Sequence, residues 1–223
     1  MLYETERTDV ARTALELLTT GLIANTSGNV SVRVGEHVVI TPSGRDYRSL
    51  TPGDIAVVDL KGRVVHGEML PSSEMPLHMS VYDSNPETKA IVHAHSMYAT
   101  AVSTVLDQLP TIHYQMVELG GAVPVAPYRT FGTRELAEVT TQALIGRSAA
   151  IMQNHGSITT AETLDKALGR CVTLEWCSRL YLKALSLGDP KILTADEMAM
   201  AEKQMESFDE KRQAFKAVTG THT

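Results

Sequence analysis

The chain has 223 residues, with 20 basic against 26 acidic side chains and a formal charge of −6. That length suits one sizeable core and falls short of what two usually need, so a single domain over 1–223 is expected. No stretch gathers Lys and Arg into a stripe, and no apolar run approaches the roughly 18 residues of a membrane span. The opening MLYETERTDV is acidic where a signal peptide is basic and then apolar. Nucleic acid and membranes are therefore excluded as main partners, and the cytoplasm is the expected setting.

In chain order, residues 4–21 place Val10, Ala11, Ala14, Leu15 and Leu18 at helical spacing, with Gly21 where a helix C-cap commonly sits. Asn25 to Val34 alternates after the polar loop Thr26-Ser27-Gly28-Asn29. His37 to Ile40 is a β-branched run closed by Thr41-Pro42-Ser43-Gly44, and both segments predict strands. Ile55 to Leu60 and Arg63 to His66, joined by Lys61-Gly62, read as a hairpin. A helix is predicted over Met75 to Ser84 and a buried strand over Lys89 to His95. Further on come a short strand over Ala122 to Ala126, a helix over Arg134 to Leu144 and an apolar strand over Ala149 to Gln153. Thr163 to Leu187 reads as a long helix with Leu164, Leu168, Cys171, Leu174, Leu182 and Leu185 as its apolar stripe. Thr194-Ala195-Asp196-Glu197 is a capping box that opens a last helix, and 214–223 read as a flexible tail. Strands and helices mixed in this way predict an α/β domain, a central sheet covered by helices on both faces. Cys171 and Cys177 fall on one helix, about 240° apart around its axis, so they do not pair; two free thiols fit a reducing compartment.

His93-Ala94-His95 is the sharpest local feature. Residues i and i+2 of a strand share a face, so two imidazoles meet at the strand's end, as a metal ion or a hydrogen-bonded pair would have them. His155 favours the metal, because Ile151-Met152-Gln153-Asn154-His155-Gly156 sets a third imidazole at the exit of another apolar strand, beside a glycine that lets the chain turn. Zn²⁺ takes neutral imidazole nitrogens at about 2.0–2.1 Å, and a catalytic site keeps one position open. Glu74, at the start of a predicted helix, suits three roles: metal ligand, base or simple helix cap. His37, His66 and His78 read as surface or core residues, and His222 falls in the tail. The loops Thr26-Ser27-Gly28-Asn29, Thr41-Pro42-Ser43-Gly44 and Ser72-Ser73 offer hydroxyls and free amides to a phosphate dianion. A metal beside a carbonyl, with a phosphate held nearby, suits aldol cleavage through a metal-stabilised enediolate, with Glu74 as base and a tyrosine such as Tyr114 as acid. No lysine lies in a segment that announces a buried Schiff-base amine.

Ser27-Gly28-Asn29, Thr41-Pro42-Ser43-Gly44, Ser72-Ser73-Glu74, His93-x-His95, Ile112-His113-Tyr114, Ala126-Pro127-Tyr128-x-Thr130-Phe131-Gly132-Thr133 and Asn154-His155-Gly156 together resemble the successive motifs of the class II aldolase/adducin family. Within it they are nearest to the L-fuculose-phosphate aldolases, and they run from about residue 7 to residue 190 in the family's order. The resemblance implies a three-layer α/β/α fold on a mixed, largely antiparallel sheet and a homotetramer with active sites at subunit interfaces. It implies one Zn²⁺ per subunit on His93, His95 and His155, with Glu74 the metal-proximal acid/base. Asn29, Ser43, Gly44, Ser72 and Ser73 become the phosphate cradle, with Gly28 shaping its first loop. Tyr114 from a neighbouring subunit becomes the proton donor to the aldehyde oxygen, and Phe131 lines the aldehyde pocket. The implied substrate is a phosphorylated sugar, L-fuculose-1-phosphate or a related deoxy-ketose 1-phosphate, cleaved to dihydroxyacetone phosphate and an aldehyde. The resembled enzymes carry a tail tyrosine that orients the aldehyde half, whereas this chain has Phe208 there and no tyrosine after Tyr181. The same family includes L-ribulose-5-phosphate 4-epimerases, which carry Asp at the Glu74 position, and adducin-like modules that have lost the metal ligands.

Overall fold

The computed structural model describes residues 1–219; His222 lies outside the described residues. Nine strands form one mixed sheet: β1 (Asn29–Val34), β2 (His37–Ile40), β3 (Ala56–Asp59), β4 (Val64–His66), β5 (Ala90–Ala94), β6 (Gln108–Leu109), β7 (Val123–Ala126), β8 (Ala149–Met152) and β9 (Gly156–Ala161). Their order is β4-β3-β2-β1-β5-β9-β8-β7-β6, and every neighbouring pair is antiparallel except β7 with β8. The helices are α1 (Glu4–Thr19), α2 (Met75–Ser84), α3 (Met97–Ser103), α4 (Arg134–Ala143), α5 (Leu164–Leu185) and α6 (Ala195–Thr219). The α/β expectation of a sheet with helices on both faces is thus met.

The strands' period of two assigns the faces. Ala90, Val92 and Ala94 of β5 join Val30 and residues of α1 and α5 in one core, whereas Ile91 faces the other way with Leu77, Val81 and Tyr82 of α2 and Leu136 of α4. Near the β6 edge, Ala149 and Ile151 pack with α3 and the far half of α5, while Ala150 and Met152 pack toward α4. His93 shares parity with Ile91, so it projects to the α2 side, with Glu74 at that helix's N-terminus.

Several segments differ from their sequence-based bounds. The chain from Asn25 to Gly28 is loop, not strand, because Asn25 and Gly28 adopt left-handed backbone. The capping box at Thr194 is formed, with Glu197 accepting from the Thr194 amide at 2.8 Å and Thr194 from the Glu197 amide at 3.2 Å. Residues 214–219, read as tail, continue α6 through Thr219, in a stretch rich in good helix formers. Cys171 and Cys177 are buried and unpaired. No helix among the described residues is long and apolar enough to cross a membrane.

Beside the histidines two strands leave no room for a side chain between them. β9 pairs with β5 from Ala90↔Ala161 to Ala94↔Ser157, and a Cβ at Gly156 would sit 2.4 Å from the Ala94 carbonyl oxygen. Gly156→Ala therefore forces these backbones apart, and we expect a loss of about 1–3 kcal/mol in a denaturant-unfolding midpoint, the usual range for overpacking. An unchanged midpoint would mean that the strand shifts freely and that this contact does not fix His155.

Candidate active site

Four side chains from three segments converge at the end of β5. His93 and His95 come from the strand and its exit, His155 from the tight β8–β9 loop, and Glu74 from the N-cap position of α2. Asn154 takes left-handed backbone in that loop, its amide held by Ser103 Oγ at 2.9 Å, and so His155 is turned toward β5. The candidate ligand atoms of the four all lie within 4.8 Å of one another. The rings stand edge to face, with centroids 4.9 Å apart for His93–His95, 5.0 Å for His93–His155 and 4.8 Å for His95–His155.

Hydrogen bonding sets which nitrogen faces the centre. His93 Nδ1 donates to the Ser157 carbonyl at 2.8 Å, which aims Nε2 at the cluster. There His93 Nε2 lies 2.9 Å from Glu74 Oε2 and 3.1 Å from His95 Nε2, and His155 Nε2 lies 3.2 Å from Glu74 Oε1. Although Glu74 occupies the N-cap of α2, its carboxylate makes no cap hydrogen bond. It turns instead to the imidazoles and to Asn29, whose Nδ2 donates to Oε2 at 3.0 Å.

The electrostatics follow from this crowding. Burial alone would raise the Glu74 carboxyl, but His93 and His155 outweigh it and hold the group well below the usual carboxylate range. Burial likewise disfavours a charged His93, yet the Glu74 carboxylate prevails and raises its pKa. His95 is pushed down to about 3 by burial and then by the charges of His93 and His155. Glu74 Oε1 is buried and makes no hydrogen bond. A carboxylate oxygen that faces an imidazole nitrogen at 3.2 Å without a well-formed hydrogen bond, beside three convergent imidazoles, fits a divalent cation that takes nitrogen and oxygen donors together.

The adjoining cavity, of about 260 Å³, is lined by Thr26, Ser27, Gly28, Asn29, Pro42, Ser43, Gly44, Ser72, Ser73, Glu74, His95, Phe131 and His155. The three polar loops picked out in the sequence thus share one wall. The Ser43 amide donates to the Leu70 carbonyl at 2.9 Å and the Ser72 amide to the Thr41 carbonyl at 3.0 Å, which laces two of them together. Gly28 must be glycine there, since its φ is +81° and a Cβ would meet the His93 carbonyl oxygen at 2.7 Å. Phe131 reaches the rim although largely exposed, whereas Tyr114, half exposed, does not line this cavity. Tyr114 lies instead in a groove with Phe208 and Met205 of α6. The sequence reading set Asn29 among the phosphate loops only and missed that its buried amide serves Glu74.

A mixed sheet that delivers three imidazoles and a carboxylate to one point, with a glycine- and serine-rich cavity alongside, has the make-up of a metal-dependent active site. Residues 8–182 match the family described as Class II Aldolase and Adducin N-terminal domain. The L-fuculose phosphate aldolase of Escherichia coli strain K12 is 41% identical over 209 residues, covering 91% of this chain and 97% of that one. The 5-deoxy-D-ribulose 1-phosphate aldolase of Bacillus thuringiensis serovar kurstaki is 35% identical over 210 residues, covering 93% and 99%. A solved L-fuculose 1-phosphate aldolase superposes with a TM-score of 0.88 at 35% identity, covering 91% of this chain and 96% of that one. The chain belongs to the class II aldolase/adducin family and is an aldolase, a lyase of the metal-dependent class.

Proposed function

We propose that this aldolase cleaves a deoxy-ketose 1-phosphate to dihydroxyacetone phosphate and an aldehyde, with Zn²⁺ held by His93, His95 and His155. The observation that carries the reading is the junction of the imidazole cluster with a cavity walled by Ser43, Gly44, Ser72 and Ser73. Bound there, zinc would supply Lewis-acid polarisation of the ketose carbonyl and its neighbouring hydroxyl. The chain's own residues do the rest. The serine hydroxyls and loop amides hold the phosphate and set the sugar's reach. Glu74 moves the proton at the carbon that keeps the phosphate half, and Asn29 orients it. Tyr114, from a neighbouring subunit of a homotetramer, exchanges the proton of the hydroxyl that becomes the aldehyde oxygen. Its place outside the cavity of its own chain supports a role across an interface. Phe131 contacts the aldehyde half. Buried, unpaired Cys171 and Cys177 support a cytoplasmic setting.

Glu at position 74 favours cleavage over the epimerase alternative. The test is a panel of 1-phosphoketoses, L-fuculose-1-phosphate and 5-deoxyribulose-1-phosphate among them, with coupled detection of dihydroxyacetone phosphate and L-ribulose-5-phosphate as the epimerase control. EDTA should abolish cleavage and Zn²⁺ restore it. Turnover of the pentulose 5-phosphate alone would replace this reading, and cleavage indifferent to chelation would remove the metal from it.

A further inference from the structure

Behind Glu74 and Asn29 runs a buried polar row, His78, Ser31 and Tyr82, with no place in the aldol chemistry so far. Along α2, Glu74, His78 and Tyr82 recur at intervals of four and so share one helix face. Along β1, Asn29 and Ser31 alternate with Val30 and share the strand face turned toward that helix. The two stripes meet. Asn29 Nδ2 donates to Glu74 at 3.0 Å and its Oδ1 bonds His78 Nε2. His78 Nδ1 lies 2.6 Å from Ser31 Oγ, and Ser31 Oγ lies 2.8 Å from the Tyr82 hydroxyl. His78, Ser31 and Tyr82 are at most 1% exposed.

Donor rules set the direction of the chain from Glu74 back to Ser31, and the Tyr82 hydroxyl at its far end also has the Lys89 carbonyl within 3.5 Å. A carboxylate only accepts, so the Asn29 nitrogen must face Glu74 and its carbonyl must face His78. His78 therefore carries its proton on Nε2. Burial, and next the charge of His93, pushes its pKa down to about 3, so the ring is neutral and Nδ1 accepts from Ser31. The Ser31 oxygen is then free to accept from Tyr82. With His78 absent, the buried Asn29 carbonyl loses its partner and the amide is anchored only at its nitrogen end, so it no longer holds the Glu74 carboxylate in one orientation.

We propose that His78 is a positioning residue for the aldolase, fixing the orientation of the Glu74 carboxylate through Asn29 by a one-way hydrogen-bond chain from Tyr82 and Ser31. The inference rests on the acid/base role of Glu74 given above. Shells of this kind orient groups at metal sites, and their loss typically costs about 10- to 100-fold in activity.

Three variants and one spectrum test it. Ring ¹⁵N chemical shifts at neutral pH should show His78 as the Nε2–H tautomer, with or without Zn²⁺; the Nδ1–H form or an imidazolium would overturn the chain. H78L should lower kcat about 10- to 100-fold while KM and zinc stoichiometry stay put. H78Q, which keeps a donor and an acceptor at similar reach, should recover most of that loss. A folded H78L with wild-type kcat, or H78Q as slow as H78L, overturns the proposal in favour of simple packing. Should H78L not fold, S31A serves in its place: a mixed tautomer with a several-fold lower kcat supports the chain, and an unchanged spectrum and rate overturn it. A wild-type protein that cleaves no 1-phosphoketose would sink the substrate reading, while the tautomer still decides whether the chain exists.

Discussion

Glu74→Gln should fold, still bind a divalent metal and lose turnover by about 10²- to 10⁴-fold, the range that positioned acid/base groups contribute. The change is isosteric, and the glutamine carbonyl still accepts from Asn29 Nδ2, which now reaches Glu74 Oε2 at 3.0 Å. Three imidazoles remain, enough protein ligands for a catalytic zinc with an open position. What disappears is the group whose carboxyl His93 and His155 hold ionised against burial. KM should move little if Ser43, Gly44, Ser72 and Ser73 hold the phosphate as proposed, because they line the cavity from other loops. Metal analysis beside steady-state kinetics reads both halves of this expectation. A zinc-free E74Q would make Glu74 an obligatory ligand, and a fully active one would remove it from proton transfer.

The legible parts of the fold were those whose signal is local. α2 was predicted at its observed bounds of Met75–Ser84, and β2 at His37–Ile40, because helical spacing and a β-branched run each announce themselves within a few residues. β9 was not predicted. Gly156 to Ala161 is buried along its whole length yet half serine and threonine, and Thr159 Oγ1 satisfies itself on the Ala167 carbonyl at 2.8 Å, a partner on the next helix. α3 was missed for a similar reason: its first-turn amides at Tyr98 and Ala99 are each capped at 2.9 Å by Glu175, more than 70 positions away on α5. The site divides along the same line. Two histidines at i and i+2 at a strand's end, and a third at the exit of an apolar strand, are patterns a sequence displays. The row from Glu74 to Tyr82 was open to view at four-residue intervals, but its meaning depends on β1 turning polar residues inward, against the usual sense of strand alternation.

His93→Ala should show the same cluster from the side of stability as well as catalysis. The variant should bind zinc weakly and lose at least about 1000-fold in turnover, since the Lewis-acid contribution is worth several kcal/mol and each 1.4 kcal/mol is tenfold. The metal-free protein should also be destabilised, because Glu74 stays buried without its nearest partner. The expected cost is about 3 kcal/mol, the low end for a broken buried pair, since His155 still stands at 3.2 Å. Its pH dependence follows from the two shifts. The raised His93 pKa gives stability that is full below the ordinary imidazole value of 6.5 and lost as pH rises through the folded value. The depressed Glu74 pKa gives stability that is present above the ordinary 4.5 and lost as pH falls through the folded value. The gap between wild type and H93A should therefore be widest between 4.5 and 6.5 and narrow on either side. Denaturant unfolding of the two metal-free proteins across this range measures it. A gap independent of pH would mean that His93 supports the fold by packing alone, and that the ion pair with Glu74 contributes nothing before the metal arrives.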